Sequence, residues 1–149
     1  MKRLSLLILF FSFTFTPTAQ AELSEDQQAY KQVRDLQRQQ QWAAAEKGIN
    51  ALADYPLQHY LQYYQLRGQL NKAKTAEVEQ FIAGNPSPHL NNALQRRYLL
   101  ALAKRKDWAE YLAFFPQPPA SIDLRCYHYQ AQAELGNSEV AWQGAQQLW

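Results

Sequence analysis

Cys126 and His128 are the pair of side chains most suggestive of chemistry in this sequence, a thiol and an imidazole two residues apart. On a helix that spacing points them to different faces, so a cysteine nucleophile activated by this histidine is not expected. His59, His89 and His128 lie far apart, with no His-x-x-x-His or Cys-x-x-Cys spacing. They are expected at the surface or in turns, and no metal ligand set and no cofactor is expected. No Gly-x-Ser-x-Gly elbow, phosphate loop or dinucleotide fingerprint occurs. The carboxylate pairs Glu25/Asp26, Glu77/Glu79 and Asp107/Glu110 have the types needed for acid and base work on a glycosidic bond. Each falls where a helix should begin, and acidic residues there meet the positive end of the helix dipole. Tyr60, Tyr63 and Tyr64 have faces suited to stacking on sugars, but their helical spacing fits a packing layer. Arg96, Arg97, Lys104, Arg105 and Lys106 read as a solvated basic face. No catalytic residue is assigned.

Those side chains belong to a chain of 149 residues with 15 Lys+Arg, 13 Asp+Glu, 47% apolar residues and only 5 glycines. This suits one small domain or a short repeat array, and it excludes a large enzyme and wholesale disorder. The near-neutral charge gives no reason to expect nucleic acid or an anionic membrane as partner.

The first 21 residues read as a secretory signal peptide. Met1-Lys2-Arg3 is basic, Leu4 to Phe15 carries no charge, Pro17 breaks the run, and Ala19-Gln20-Ala21 offers the small residues of a cleavage site. Cleavage is expected between Ala21 and Glu22. The apolar run spans only about 18 Å as a helix, short of the roughly 30 Å hydrocarbon core, so no membrane attachment is expected after its removal. The mature chain has 13 basic and 13 acidic side chains, and the periplasm is its expected compartment. Cys126, the single cysteine, is either a buried free thiol or one whose partner is lost or lies on another chain.

From Glu22 onward the apolar positions follow a helical period and nothing alternates as a strand would. Ser24 with Gln27 resembles a capping box ahead of Ala29, Val33 and Leu36. Trp42, Ala45, Ile49 and Leu52 line a second helix, and Leu57, Tyr60, Leu61 and Tyr64 a third. Val78, Phe81 and Ile82 mark a fourth, and the stripe from Leu90 to Leu102 a fifth, reversing near Lys106-Asp107. Trp108, Tyr111, Leu112 and Phe115 form a sixth, ended by Pro116-Gln117-Pro118-Pro119. Ile122, Cys126, Tyr129 and Ala133 are expected to face inward on a seventh. Ser138 is expected to cap an eighth, running to Trp149.

Every second helix starts roughly 31 to 34 residues after the last, the period of tetratricopeptide-like solenoids. The expected fold is all-α, a superhelical stack of short antiparallel helix pairs. Because Gln147-Leu148-Trp149 ends inside an amphipathic pattern, the stack is expected to be incomplete at its C-terminus, with Leu148 and Trp149 exposed and able to self-associate.

Three stretches resemble the N-terminal region of the soluble lytic murein transglycosylases: Asp54-Tyr55-Pro56-Leu57 with Tyr60-Leu61; Leu102-Ala103-x-Arg105-x-Asp107-Trp108; and Gly136-x-Ser138-Glu139-x-Ala141-Trp142-Gln143-Gly144-Ala145-x-x-Leu148-Trp149. The resemblance implies a U-shaped α-superhelix over residues 22–149, from an exported enzyme whose lysozyme-like domain follows. That family cleaves the β-1,4 bond between N-acetylmuramic acid and N-acetylglucosamine in peptidoglycan and leaves a 1,6-anhydro end. Its catalytic glutamate sits in a Glu-Ser motif, which this sequence lacks, so the catalytic domain is expected to be absent and this chain non-catalytic alone. The resemblance also implies that the cysteine matching Cys126 pairs with one shortly downstream. The other reading is a stand-alone periplasmic helical-repeat module that binds a protein or regulates cell-wall enzymes.

Overall fold

The computed structural model describes residues 23–148. Ser24 Oγ accepts from the Gln27 N–H at 3.3 Å and Gln27 Oε1 accepts from the Ser24 N–H at 3.1 Å, a reciprocal cap that opens α1 (Glu25–Arg38). It is followed by α2 (Trp42–Ala51), α3 (Gln58–Gln69), α4 (Thr75–Gly84), α5 (Pro88–Arg105), α6 (Trp108–Phe114), α7 (Ile122–Glu134) and α8 (Ser138–Gln146). No strand occurs among the described residues. The signal segment, its Ala21/Glu22 cleavage site and Trp149 lie outside them.

Three of the four helix pairs turn in the same way. Gln40, Lys106 and Gly136 adopt left-handed φ of 59°, 59° and 88°. In each case the next residue's N–H reaches five residues back: Gln41 to Leu36 at 2.9 Å, Asp107 to Leu102 at 3.0 Å, and Asn137 to Gln132 at 2.8 Å. This closes the last carbonyls of the first helix and sends the second back along it. Glycine adopts that conformation without strain, whereas Gln40 and Lys106 adopt it against a steric penalty.

The even helices α2, α4, α6 and α8 begin 33, 33 and 30 residues apart, which puts the repeat in the structure as well as the sequence. The odd helices α1, α3, α5 and α7 pack on one another in succession, while α2, α4 and α6 pack chiefly on their sequence neighbours. The result is a one-dimensional stack with a continuous odd row. Val33, Ala45, Ile49 and Leu61 form a core at the first pair, and Val78, Leu94, Tyr98, Leu102 and Tyr111 a larger one from α4 to α7. Three helical glycines allow close approach: a Cβ on Gly48 would overlap Val33, one on Gly68 the Trp42 ring, and one on Gly144 the Tyr129 ring.

Polar ties stitch the pairs together. The Tyr111 hydroxyl donates to the buried Leu124 carbonyl at 2.7 Å, and burial pushes that phenol's pKa up. Thr75 Oγ1 bonds both the Tyr98 hydroxyl, at 2.8 Å, and the Glu110 carboxylate, joining α4, α5 and α6. Arg105 donates to the Leu70 and Asn71 carbonyls at 3.1 and 3.0 Å.

Five expectations are corrected. On α7 the buried face is Leu124, His128 and Ala131, while Ile122, Cys126 and Ala133 are exposed. That helix has two apolar sides, and α5 and α6 take the first. His128 is therefore core rather than surface. Asn137, not Ser138, occupies the N-cap of α8, and Ser138 is its first helical residue. Leu57 precedes α3 and is 41% exposed, and Leu148 is half-buried rather than exposed.

Candidate functional site

Because α2 and α4 splay apart over α3, a groove of about 890 Å³ opens between them. Its floor is a stripe of amides on α3, Gln58, Gln62, Gln65 and Gln69, set at i, i+4, i+7 and i+11 on one helical face. Glu46 and Asn50 from α2 and Gln80 and Phe81 from α4 form the walls, with Tyr55 and His59 at one end and Lys72 and Glu77 beside Gln69.

The stripe is held from below. Gln58 Nε2 donates to the Ile49 carbonyl at 3.2 Å and Gln65 Nε2 to the Trp42 carbonyl at 2.9 Å. Gln62 Nε2 donates to Gln58 Oε1 at 3.3 Å and Gln69 Nε2 to the Gln65 carbonyl at 3.4 Å. Behind it the buried Gln37 bridges Leu61, at 2.8 Å, and Gln65 Oε1, at 3.3 Å, and is itself held by Arg34 at 2.8 Å. Arg34 lies 3.4 Å above the Tyr64 ring centre. Gln62 Oε1, Gln69 Oε1 and the whole Gln80 and Asn50 amides have no protein partner among these bonds and border the groove.

Two smaller concavities accompany it. Between α3 and α5, a cleft of about 300 Å³ is lined by Arg67, Arg97 and Lys104 with no acidic side chain. Between α7 and α8, a hollow of about 450 Å³ is lined by Cys126, Tyr129, Ala133, Trp142 and Leu148. Cys126 is a free thiol and exposed, so the buried-thiol alternative does not hold.

The residues singled out in the sequence scatter. Glu25 and Asp26 sit in the first turn of α1, Glu77 in that of α4 and Glu110 in that of α6, with Asp107 at the α6 N-cap. Among the described residues no three His, Cys, Asp or Glu side chains group to hold a metal ion. His59 reaches the groove and His89 is exposed. His128 is 2% exposed with Nδ1 unpartnered, and burial lowers its pKa. Tyr63 is buried against α4 while Tyr60 and Tyr64 are half-buried, as a packing layer would be. Of the basic cluster, Arg96 pairs with Asp123 at 2.7 Å on the surface. Asp123's pKa is lowered, first by its Ser121 hydrogen bond and less by Arg96. The α3 amide stripe was missed, although its spacing is visible in the sequence, because amides carry no hydrophobic periodicity.

No family model matches the chain. The soluble lytic murein transglycosylases of Escherichia coli K12 and of Salmonella typhimurium are each 36% identical to it over 137 residues, 91% of this chain and 21% of theirs. The chain thus spans about a fifth of the length of the curated relatives it matches. Its fold superposes on the crystal structure of the 70-kDa soluble lytic transglycosylase of Escherichia coli with a TM-score of 0.74 at 36% identity, over 86% of this chain and 21% of that one. The complex of the 70-kDa soluble lytic transglycosylase with bulgecin A gives 0.73 over the same shares.

Proposed function

We propose, from the premise that this chain is homologous to a stretch of the soluble lytic murein transglycosylases, that it forms a helical scaffold portion of a murein-degrading enzyme. The observation that carries the reading is 36% identity sustained over 91% of the chain. Its role is to position and engage peptidoglycan, while cleavage of the MurNAc–GlcNAc bond belongs to residues outside this sequence. In support, the carboxylates at 25, 26, 77, 107 and 110 sit at helix starts, where they serve caps and dipoles. Residues 1–21 act as an export signal cleaved before Glu22, and the periplasm is the site of action. No helix among the described residues is long and apolar enough to cross a membrane.

Cys126 fits the same reading. Its exposure beside the apolar α7–α8 hollow supports pairing with a cysteine of a further helical segment. The exposed Ile122, Val140 and Trp142 favour a second reading in the same place, a module whose α7–α8 face binds a protein or a second copy of itself.

Incubating the purified chain with murein sacculi tests the primary reading. Co-sedimentation without release of 1,6-anhydromuropeptides is expected. Turnover would move the chemistry into this chain, and failure to sediment would favour the protein-binding module.

A further inference from the structure

We propose that the α2–α4 groove is a docking channel for a neutral, N-acetylated β-1,4-linked glycan strand. The inference rests on the murein reading for the kind of polymer, and on the groove's own chemistry for the mode of recognition. The floor is built from amides rather than charges: Gln58, Gln62, Gln65 and Gln69 lie along one side of α3, with Gln80 and Asn50 facing them from the walls. A carboxamide presents a donor and an acceptor together, so a row of them suits a ligand that alternates hydroxyls and acetamides. The row runs the 12 residues of α3, roughly 16 Å from Gln58 to Gln69 and longer than a disaccharide.

The amides are pre-organised by their bonds to the Ile49 and Trp42 carbonyls and to one another, which lowers the entropy lost when a ligand orders them. Of the floor oxygens, Gln58 Oε1 and Gln65 Oε1 accept from Gln62 and Gln37, while Gln62 Oε1 and Gln69 Oε1 remain free to accept from a ligand. Tyr55 and Phe81 are half-buried, packed respectively near Tyr30 at 5.7 Å and Tyr63 at 6.3 Å, and border the groove as faces for pyranose rings. Glu46 and Glu77 oppose Lys72 in sign around the rim, and no ion pair forms among them. Such a rim selects against a strongly charged ligand of either sign. The cavity volume lies within the range of small-molecule sites, and its open form suits a polymer passing through.

The test uses the whole chain and the N-acetylglucosamine tetramer, with cellotetraose as the backbone that lacks acetamides. Calorimetry should detect the first and show at least tenfold weaker binding of the second. Gln62 and Gln80 are exposed and helical, so the Gln62→Ala/Gln80→Ala variant should keep its helical spectrum and lose about tenfold in affinity. Gln143→Ala, outside the groove, should lose none. In the unmutated chain, the side-chain amide resonances of Gln62 and Gln80 should shift on titration, a readout that needs no variant. Equal binding of both tetramers, undiminished binding in the double variant, or no binding would overturn the assignment. Sacculus co-sedimentation that survives the double variant would overturn the groove and leave the murein reading standing. Groove-dependent binding of the tetramer without sacculus binding would support the groove and overturn the murein reading.

Discussion

Tyr98 and Trp142 are both large aromatics on helices of one stack, yet Tyr98 is fully buried and Trp142 is 63% exposed. The contrast holds for their neighbourhoods. α5 is enclosed by α3, α4, α6 and α7, whereas α8 packs on α7 and presents Val140 and Trp142 outward. Apolar residues are thus spread along the whole stack, but burial is concentrated where a helix has neighbours on both sides. In a one-dimensional array, a residue's contribution is set by its place in the row as much as by its chemistry.

The largest effect should come from the enclosed centre. Leu102→Ala is expected to cost about 3 to 4 kcal/mol in urea unfolding, while Trp142→Ala costs less than about 0.5 kcal/mol. Equal costs would break the contrast. At the end pair the helices still meet closely, so Gly144→Ala should cost about 1 to 3 kcal/mol by forcing the Tyr129 ring aside. Gly84→Ala meets nothing within 4 Å and should be neutral or slightly stabilising. A stabilising Gly144→Ala would show that α7 and α8 pack loosely.

A third effect depends on pH. Burial lowers the His128 pKa, so on acidification the unfolded chain takes up that proton before the folded one does. Stability should be full above about pH 6.5 and fall as pH drops through the folded value. Urea midpoints at pH 7.5 and 5.5 should show that decline, and His128→Leu should flatten it. The smallest effect belongs to the surface: Arg96→Ala breaks the Asp123 pair, both partners nearly half-exposed, and should cost under about 0.5 kcal/mol, vanishing in high salt.

Helix number, helix order and the repeat were legible because they rest on local signals: apolar period, prolines at 56, 86 and 116, and the Ser24 cap. The face of α7 was not. Ile122/Cys126/Tyr129/Ala133 and Leu124/His128/Ala131 are both helical stripes, and periodicity does not choose between two stripes when neighbours decide. The paired left-handed turns escaped notice for a related reason. Gly136 announces one, but Gln40 and Lys106 are residues that rarely adopt positive φ, and only the backbone bonds around them reveal the shared device. The groove was illegible as a site because its floor is defined by the spreading of α2 from α4, although its glutamines stand in plain sequence. The carboxylates stand at helix starts as expected except Glu79, which lies a turn into α4, and the family likeness rests on word-like stretches that periodicity does not supply.

The odd row has a kinetic consequence. Since the helices pack mainly on partners one or two places along the chain, an early pair has most of its contacts before later helices are made. Assembly can therefore advance vectorially, each new hairpin templated by the last, with little loop-closure entropy to overcome. The same topology makes opening sequential under a pull: helices peel from an end in steps of roughly 30 residues, so the stack yields like a spring rather than failing as one block.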